Sequence, residues 1–125
     1  KIGLVPDSGG TWSLPRLVGM AKAKALALLG ERISAEQAEQ LGLIYRVVDD
    51  SELRDEALKL ARHLATQPTY GLALIKRALN ASMHNSFDEQ LELERDLQRL
   101  AGRSEDYREG VSAFMNKRTP QFKGK

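Results

Sequence analysis

The spacing of apolar residues from Asp50 onward most constrains the fold of this chain. These residues recur at helical intervals nearly to the C-terminus, and Pro68 ends the first such run. Ser86 with Glu89 has the pattern of a capping box at a further helix start. Helices are predicted over residues 50–66, 69–83, 87–102 and 104–117. No stretch in this part is typical of a strand, so it is predicted to be a helical array.

The first fifty residues differ because they combine an apolar run, glycine turns and a strand candidate. A short apolar run over residues 2–5 ends at Pro6, which cannot donate to a β-ladder. The sequence LIYRVV at residues 43–48 is β-branched and aromatic and is the best strand candidate in the chain. We therefore divide the chain into residues 1–50 and residues 51–125.

Helix signals in the first part are local and specific. Ser8, Gly9 and Gly10 offer a cap and a turn into a helix from about Thr11, which Pro15 should shorten or kink.

Two further helices are predicted in the same part. Residues 20–29 are rich in alanine and leucine and lie between two glycines. Ser34 with Gln37 forms a capping-box pattern for a helix through Leu41, and Gly42 suits the left-handed position after its end.

Composition narrows the class of protein. The chain has 125 residues, of which 42% are hydrophobic and 29% charged, with a net charge of +2, as expected for one globular domain and not for a nucleic-acid-binding protein. The absence of cysteine excludes disulfides and thiol catalysis, and His63 and His84 are too few and too far apart to predict a metal site. No apolar run reaches the roughly 20 residues of a membrane span. We expect a cytoplasmic protein that binds neither nucleic acid nor membrane.

The chain opens on KIGLVP without an initiator methionine. We expect it to be part of a longer protein, whose upstream residues would carry part of any active site.

Asp7 is the first candidate for chemistry. A carboxylate beside Pro6 and followed by Ser8, Gly9 and Gly10 most often forms a turn or caps a helix. The apolar residues before it could instead form a hydrophobic wall that suits a general base. Glycines would let a ligand approach the backbone, and helix N-terminal amides could stabilise an oxyanion. The residue pattern alone favours the turn or the cap.

The C-terminal segment AFMNKRTPQFKGK is the second candidate. It combines Phe114 and Phe122 with Lys117 and other cations, a mixture that suits a nucleotide ligand bearing phosphates. The alternative is a frayed cationic terminus.

Trp12 and Tyr45 are interpreted as core residues and both histidines as structural. The acidic side chains of the 87–102 helix indicate either a solvated face or a subunit contact.

Four blocks in order, IGLVPDSGGTWSLPRLVG, GERISAEQAEQLGLIYRVVDD, LARHLATQPTYGLALIKRALN and YREGVSAFMNKRTPQFKGK, resemble the enoyl-CoA hydratase/isomerase (crotonase) superfamily. The resemblance implies an α/β crotonase-like spiral fold, of which this chain would be the mostly helical C-terminal portion. Residues 1–50 would end the spiral core, with the active-site turn and last short strand. Residues 51–125 would be a helical trimerisation region of a homo-oligomer, a trimer or hexamer.

The resemblance also implies chemistry on an acyl-CoA substrate. Family members polarise the thioester carbonyl with two backbone amides, which lie upstream of Lys1, while carboxylates move protons. At the position of Asp7, hydratases commonly carry glycine and isomerases an aspartate. This implies an isomerase acting on ring-1,2-epoxyphenylacetyl-CoA or on 3-enoyl-CoA double bonds. The alternatives are an enoyl-CoA hydratase and a catalytically silent helical oligomerisation fragment.

The implied site has three groups of residues. Asp7 is the catalytic acid/base, and Phe114 with Lys117 holds the adenine and phosphate end of coenzyme A, which is part of the substrate. No metal and no other cofactor is implied. The acyl pocket would be shaped by Pro6, Ser8, Gly9, Gly10 and Trp12.

Overall fold

A computed structural model describes residues 3–125, which form seven α-helices in two compact units that divide between Leu53 and Arg54. The division lies close to the one drawn from the sequence, while the role assigned to each part stays a prediction. The helices are α1 (Gly10–Val18), α2 (Met20–Leu29), α3 (Ala35–Gln40), α4 (Leu53–Ala65), α5 (Thr69–Ser82), α6 (Phe87–Ala101) and α7 (Glu105–Met115).

The predicted helices of the first unit are confirmed, but the cap offered by Ser8 is wrong, because Gly9 is the N-cap of α1 and no side-chain hydrogen bond caps this helix. Pro15 lies inside α1, which is only nine residues long. Ser34 and Gln37 form the reciprocal capping box of α3. After α3, Gly42 has a left-handed φ of 76°, and the amide of Leu43 donates to the carbonyl of Ala38 at 2.9 Å. This is the glycine C-terminal motif that the sequence predicts.

The predicted strand at residues 43–48 is wrong. The segment is irregular, and the backbone amide of Val47 donates to the Glu39 carboxylate at 3.0 Å instead of to another strand. A strand forms by pairing, and the rest of residues 3–125 offers no strand with which it could pair. Tyr45 is 80% exposed and Trp12 is 46% exposed, so neither is buried within this chain, where the sequence predicts core residues.

In the second unit, α5 packs against α6. Ser86 and Glu89 form the predicted capping box at the start of α6, and the hydrogen bonds from Ser86 lower the pKa of Glu89. Gln90 of α6 donates to the carbonyl of Ala78 in α5 at 3.3 Å and accepts from Asn85 at 3.0 Å. These bonds fix the register between the two helices.

The apolar stripes are largely exposed. Among the described residues, only Ala23, Leu97 and Ala113 are buried apolar side chains. Leu53, Leu60 and Leu64, which the sequence places on one stripe of α4, are all exposed. In the described part of the chain, no helix is both long and apolar enough to span a bilayer.

The segment after α7 folds back onto that helix. Asp106 is only 3% exposed. Its carboxylate accepts hydrogen bonds from the backbone amides of Lys123 at 2.7 Å and Gly124 at 2.8 Å. The amide of Asp106 in turn donates to the carbonyl of Lys125 at 2.9 Å. The alternative of a frayed terminus is therefore wrong, because the last residues are held by paired backbone hydrogen bonds.

We expect Gly124→Ala to destabilise the full-length protein. Gly124 has a φ of 77°, and an added Cβ would overlap Thr69 Oγ1. The left-handed backbone alone costs an alanine about 1–2 kcal/mol, so thermal denaturation should show a lower Tm. Gly71→Ala is the control because that glycine lies inside α5, where a Cβ meets only an ordinary contact. Equal Tm values for the two variants would contradict the docked segment.

Candidate functional site

The turn before α1 has an unusual backbone. Ser8 and Gly9 both have left-handed φ values, 51° and 82°, and the amide of Gly10 donates to the carbonyl of Asp7 at 2.7 Å. Two such residues inside a hydrogen-bonded four-residue turn are typical of type I′. Glycine adopts this conformation without strain, whereas the left-handed region costs a residue such as Ser8 about 1–2 kcal/mol. The chain therefore stores backbone strain next to Asp7.

Asp7 forms the turn through its backbone and not through its carboxylate. The N-cap of α1 is Gly9, and no side-chain hydrogen bond caps this helix. The carboxylate of Asp7 accepts a 3.3 Å hydrogen bond from the hydroxyl of Ser8 and is otherwise exposed. Of the three roles open from the sequence, capping is excluded, turn formation belongs to the backbone, and the carboxylate remains accessible for proton transfer.

Two features considered in the sequence analysis are not formed around Asp7. Leu4 and Val5 are each 79% exposed, so they build no hydrophobic wall. The amide of Gly10 donates to the carbonyl of Asp7, and those of Trp12 and Ser13 both donate to the carbonyl of Gly9. These three helix amides already have partners, so these three do not provide the expected oxyanion stabilisation.

The other residues assigned to the acyl pocket are only partly brought together. Pro6 and Gly10 line an apolar cleft of about 280 Å³ with α1 and α2 residues, and a Cβ on Gly10 would come within 3.3 Å of Pro6. Trp12 does not line this cleft. The guanidinium of Arg16 instead lies 4.0 Å from the centroid of the Trp12 ring, a cation–π contact.

Phe114 and Lys117 lie on one turn at the end of α7. The amides of Lys117 and Arg118 donate to the carbonyls of Phe114 and Ala113 at 3.2 and 3.0 Å, which is the Schellman pattern. Lys117 has a φ of 50° at the position that glycine usually occupies. Phe114 is 82% exposed and Lys117 is exposed, so both side chains are available to a ligand.

Arg118 is held by a carboxylate that the sequence analysis missed. Its Nη1 and Nη2 lie 2.5 and 2.8 Å from the two carboxylate oxygens of Glu109, which also accepts the amide of Gln121 at 2.7 Å. Hydrogen bonds from Arg118 and Gln121, together with the positive charges of Arg118 and Lys123, lower the pKa of Glu109 to about 2. The sequence signal is weak, since nine residues and a helix end separate the partners.

Phe122 is likewise structural, because its ring contacts the position of Gly110, where an added Cβ would lie 3.6 Å away. Arg118 and Phe122 therefore hold the segment in place. Phe114 and Lys117, which the resemblance assigns to coenzyme A, stay its candidate ligand contacts. Among residues 3–125, no group of three or more His, Cys, Asp or Glu side chains is arranged to hold a metal ion.

Comparison with known proteins decides the family. Residues 1–125 match the enoyl-CoA hydratase/isomerase family over the whole chain. The chain belongs to the enoyl-CoA hydratase/isomerase family. The resemblance described from the sequence is thereby confirmed, and the family is one of enzymes.

Relatives within the enoyl-CoA hydratase/isomerase family carry different names. The chain is 66% identical to the 1,2-epoxyphenylacetyl-CoA isomerase of Escherichia coli K12, covering 100% of this chain and 48% of that protein. It is 40% identical to the 2,3-dehydroadipyl-CoA hydratase of the same organism, covering 99% of this chain and 49% of the relative. The chain thus spans about half the length of the curated relatives it matches.

A solved structure supports the fold. The crystal structure of an enoyl-CoA hydratase from Bacillus anthracis superposes with a TM-score of 0.93 at 34% identity, covering 99% of this chain and 48% of the other. The predicted fold class, the mostly helical C-terminal portion of a crotonase-like fold, is confirmed by this likeness.

The Glu109–Arg118 pair should respond to acid. Because the folded-state pKa of Glu109 is about 2, below the ordinary value of 4.5, the stability that this pair contributes is complete above about pH 4.5. It is lost as the pH falls from 4.5 towards 2. Carboxyl NMR titration should show the low midpoint, and Arg118→Gln should raise it. Arg95→Gln on α6 is the control and should leave it unchanged. A wild-type midpoint near 4.5 would contradict the pairing.

Proposed function

We propose that the protein to which this chain belongs is an acyl-CoA isomerase in which Asp7 is the general acid and base. The observation that carries the proposal is the accessible carboxylate of Asp7 on a strained turn, where it caps no helix. The resemblance assigns an aspartate at this position to isomerases and a glycine to hydratases. The 66% identity to the E. coli isomerase supports the same choice.

The chemistry follows from the position of one carboxylate. On a 3-enoyl thioester, Asp7 would take a proton from the carbon next to the carbonyl and return it two carbons further along, so that the double bond moves into conjugation. On a ring-1,2-epoxyphenylacetyl thioester, the same group would assist rearrangement of the epoxide to an oxepin. Both reactions are isomerisations, so no water or oxidant is consumed.

Segments upstream of Lys1 would supply the oxyanion hole. Within this chain, the α1 amides of Gly10, Trp12 and Ser13 already donate to Asp7 and Gly9. The turn formed by Ser8, Gly9 and Gly10 would instead set the position of the carboxylate, while Pro6 and Trp12 would border the acyl group. Ordinary proton transfer by a side chain contributes about 10²–10⁴-fold to a rate.

The other end of the substrate would be bound at the end of α7. We assign the adenine of coenzyme A to Phe114 and its phosphate to Lys117. Their common turn and their exposure support this assignment. Coenzyme A is part of the substrate, and no metal or further cofactor is proposed.

The exposed apolar stripes of the second unit support a homo-oligomer, a trimer or hexamer, formed through residues 51–125.

Enoyl-CoA hydration is the second candidate activity, favoured by the identity to the dehydroadipyl-CoA hydratase.

In the full-length protein, Asp7→Asn should lower isomerisation by at least about a hundredfold, since an amide cannot accept and return the proton. Binding of coenzyme A and the Tm should stay unchanged, because the carboxylate makes no helix cap. Turnover should be measured with ring-epoxide and 3-enoyl thioesters side by side. Asp88→Asn on α6 is the control. Near-normal isomerisation by the Asp7 variant would overturn the assignment, and loss of hydration instead would favour the second candidate.

Lys117→Ala should weaken binding of coenzyme A about tenfold, the equivalent of one charge-assisted hydrogen bond. Binding of dephospho-coenzyme A, which lacks the 3′-phosphate, should change much less. Calorimetric titration of the full-length protein with both ligands measures the two affinities. The control is Lys59→Ala on α4, because Lys59 is likewise exposed and pairs with Glu56. Equal losses for both ligands would show that Lys117 does not contact the phosphate.

A further inference from the structure

The backbone of Lys117 is held in an unfavourable conformation. Its φ of 50° is unfavourable for a residue with a Cβ, because the Cβ approaches the following carbonyl oxygen. Two Schellman hydrogen bonds close this turn, and the second uses the amide of Arg118. Whatever fixes Arg118 therefore also fixes the direction in which the Lys117 side chain leaves the backbone.

Glu109, on α7 eight residues before Lys117, restrains Arg118. Its two oxygens form a bidentate pair with the Arg118 guanidinium, which also donates to Ser112 Oγ at 3.2 Å. One of these oxygens also accepts the amide of Gln121, beyond the strained residue. The Glu109 carboxylate thus binds the chain at two points after Lys117. The bidentate geometry limits both the rotation of the Arg118 guanidinium and its distance from Glu109.

We infer that Glu109 is a positioning residue that acts through Arg118 to hold Lys117 in place for the 3′-phosphate of coenzyme A. This inference rests on the proposed role of Lys117. Glu109 itself carries a negative charge and lies in a pair with Arg118, so it contacts no phosphate. Its effect on binding should appear only for ligands that Lys117 contacts.

The test compares the affinities for coenzyme A and dephospho-coenzyme A in the full-length protein. Glu109→Gln keeps the shape of the side chain but loses its charge, and we expect it to lower the affinity ratio between the two ligands by about threefold or more. In combination with Lys117→Ala, the Glu109 change should lower the ratio no further than Lys117→Ala alone. A merely structural role would lower Tm and leave the ratio unchanged.

Matched variants separate the possible results. Glu92→Gln breaks an exposed Arg–Glu pair on α6, in which Arg95 lies 2.6 Å away, and should keep the wild-type ratio. If Glu109→Gln does not fold, Arg118→Gln removes the same pair from its other side and is expected to give the same lowered ratio. If Lys117→Ala lowers the ratio and the pair variants do not, the positioning role is wrong. If Lys117→Ala itself has no effect, the proposed phosphate contact fails and the inference falls with it.

Discussion

The order of the C-terminal segment depends on two carboxylates of α7 that bind its backbone. Asp106 and Glu109 are three residues apart, so they lie on the same face of the helix. Together they accept the amides of Gln121, Lys123 and Gly124. Because the carboxylates bind backbone amides, the path of the segment depends little on its side chains. The exceptions are Arg118, which pairs with Glu109, and Gly124, which has a left-handed φ.

The features predicted correctly from the sequence are those encoded within a few residues. Both capping boxes, Ser34 with Gln37 and Ser86 with Glu89, need one helical turn and nothing else. The strand at residues 43–48 failed because a strand depends on a partner that local propensity does not reveal. For the same reason local sequence patterns did not predict the Glu109–Arg118 pair, because its members meet only after the chain has reversed direction at Lys117.

The candidate site shows the same division between local and distant information. Residue pattern alone favoured a turn or a cap for Asp7, and the structure shows that its backbone makes the turn while the carboxylate does not cap. The proposed proton transfer could not be deduced from this pattern, since it depends on what surrounds the carboxylate when substrate is bound. The left-handed conformations of Ser8 and Lys117 also gave no signal, because serine and lysine are ordinary in sequence and unusual only in φ.

The two strained residues have a consequence for the evolution of this chain. Glycine would fit both backbones without steric penalty, so a protein selected only for resistance to heat would be expected to acquire glycine at positions 8 and 117. At position 117 this change would also delete the ammonium group. Stability and the proposed coenzyme A contact therefore compete at position 117, and laboratory selection for heat resistance should separate the two properties there before it does so elsewhere.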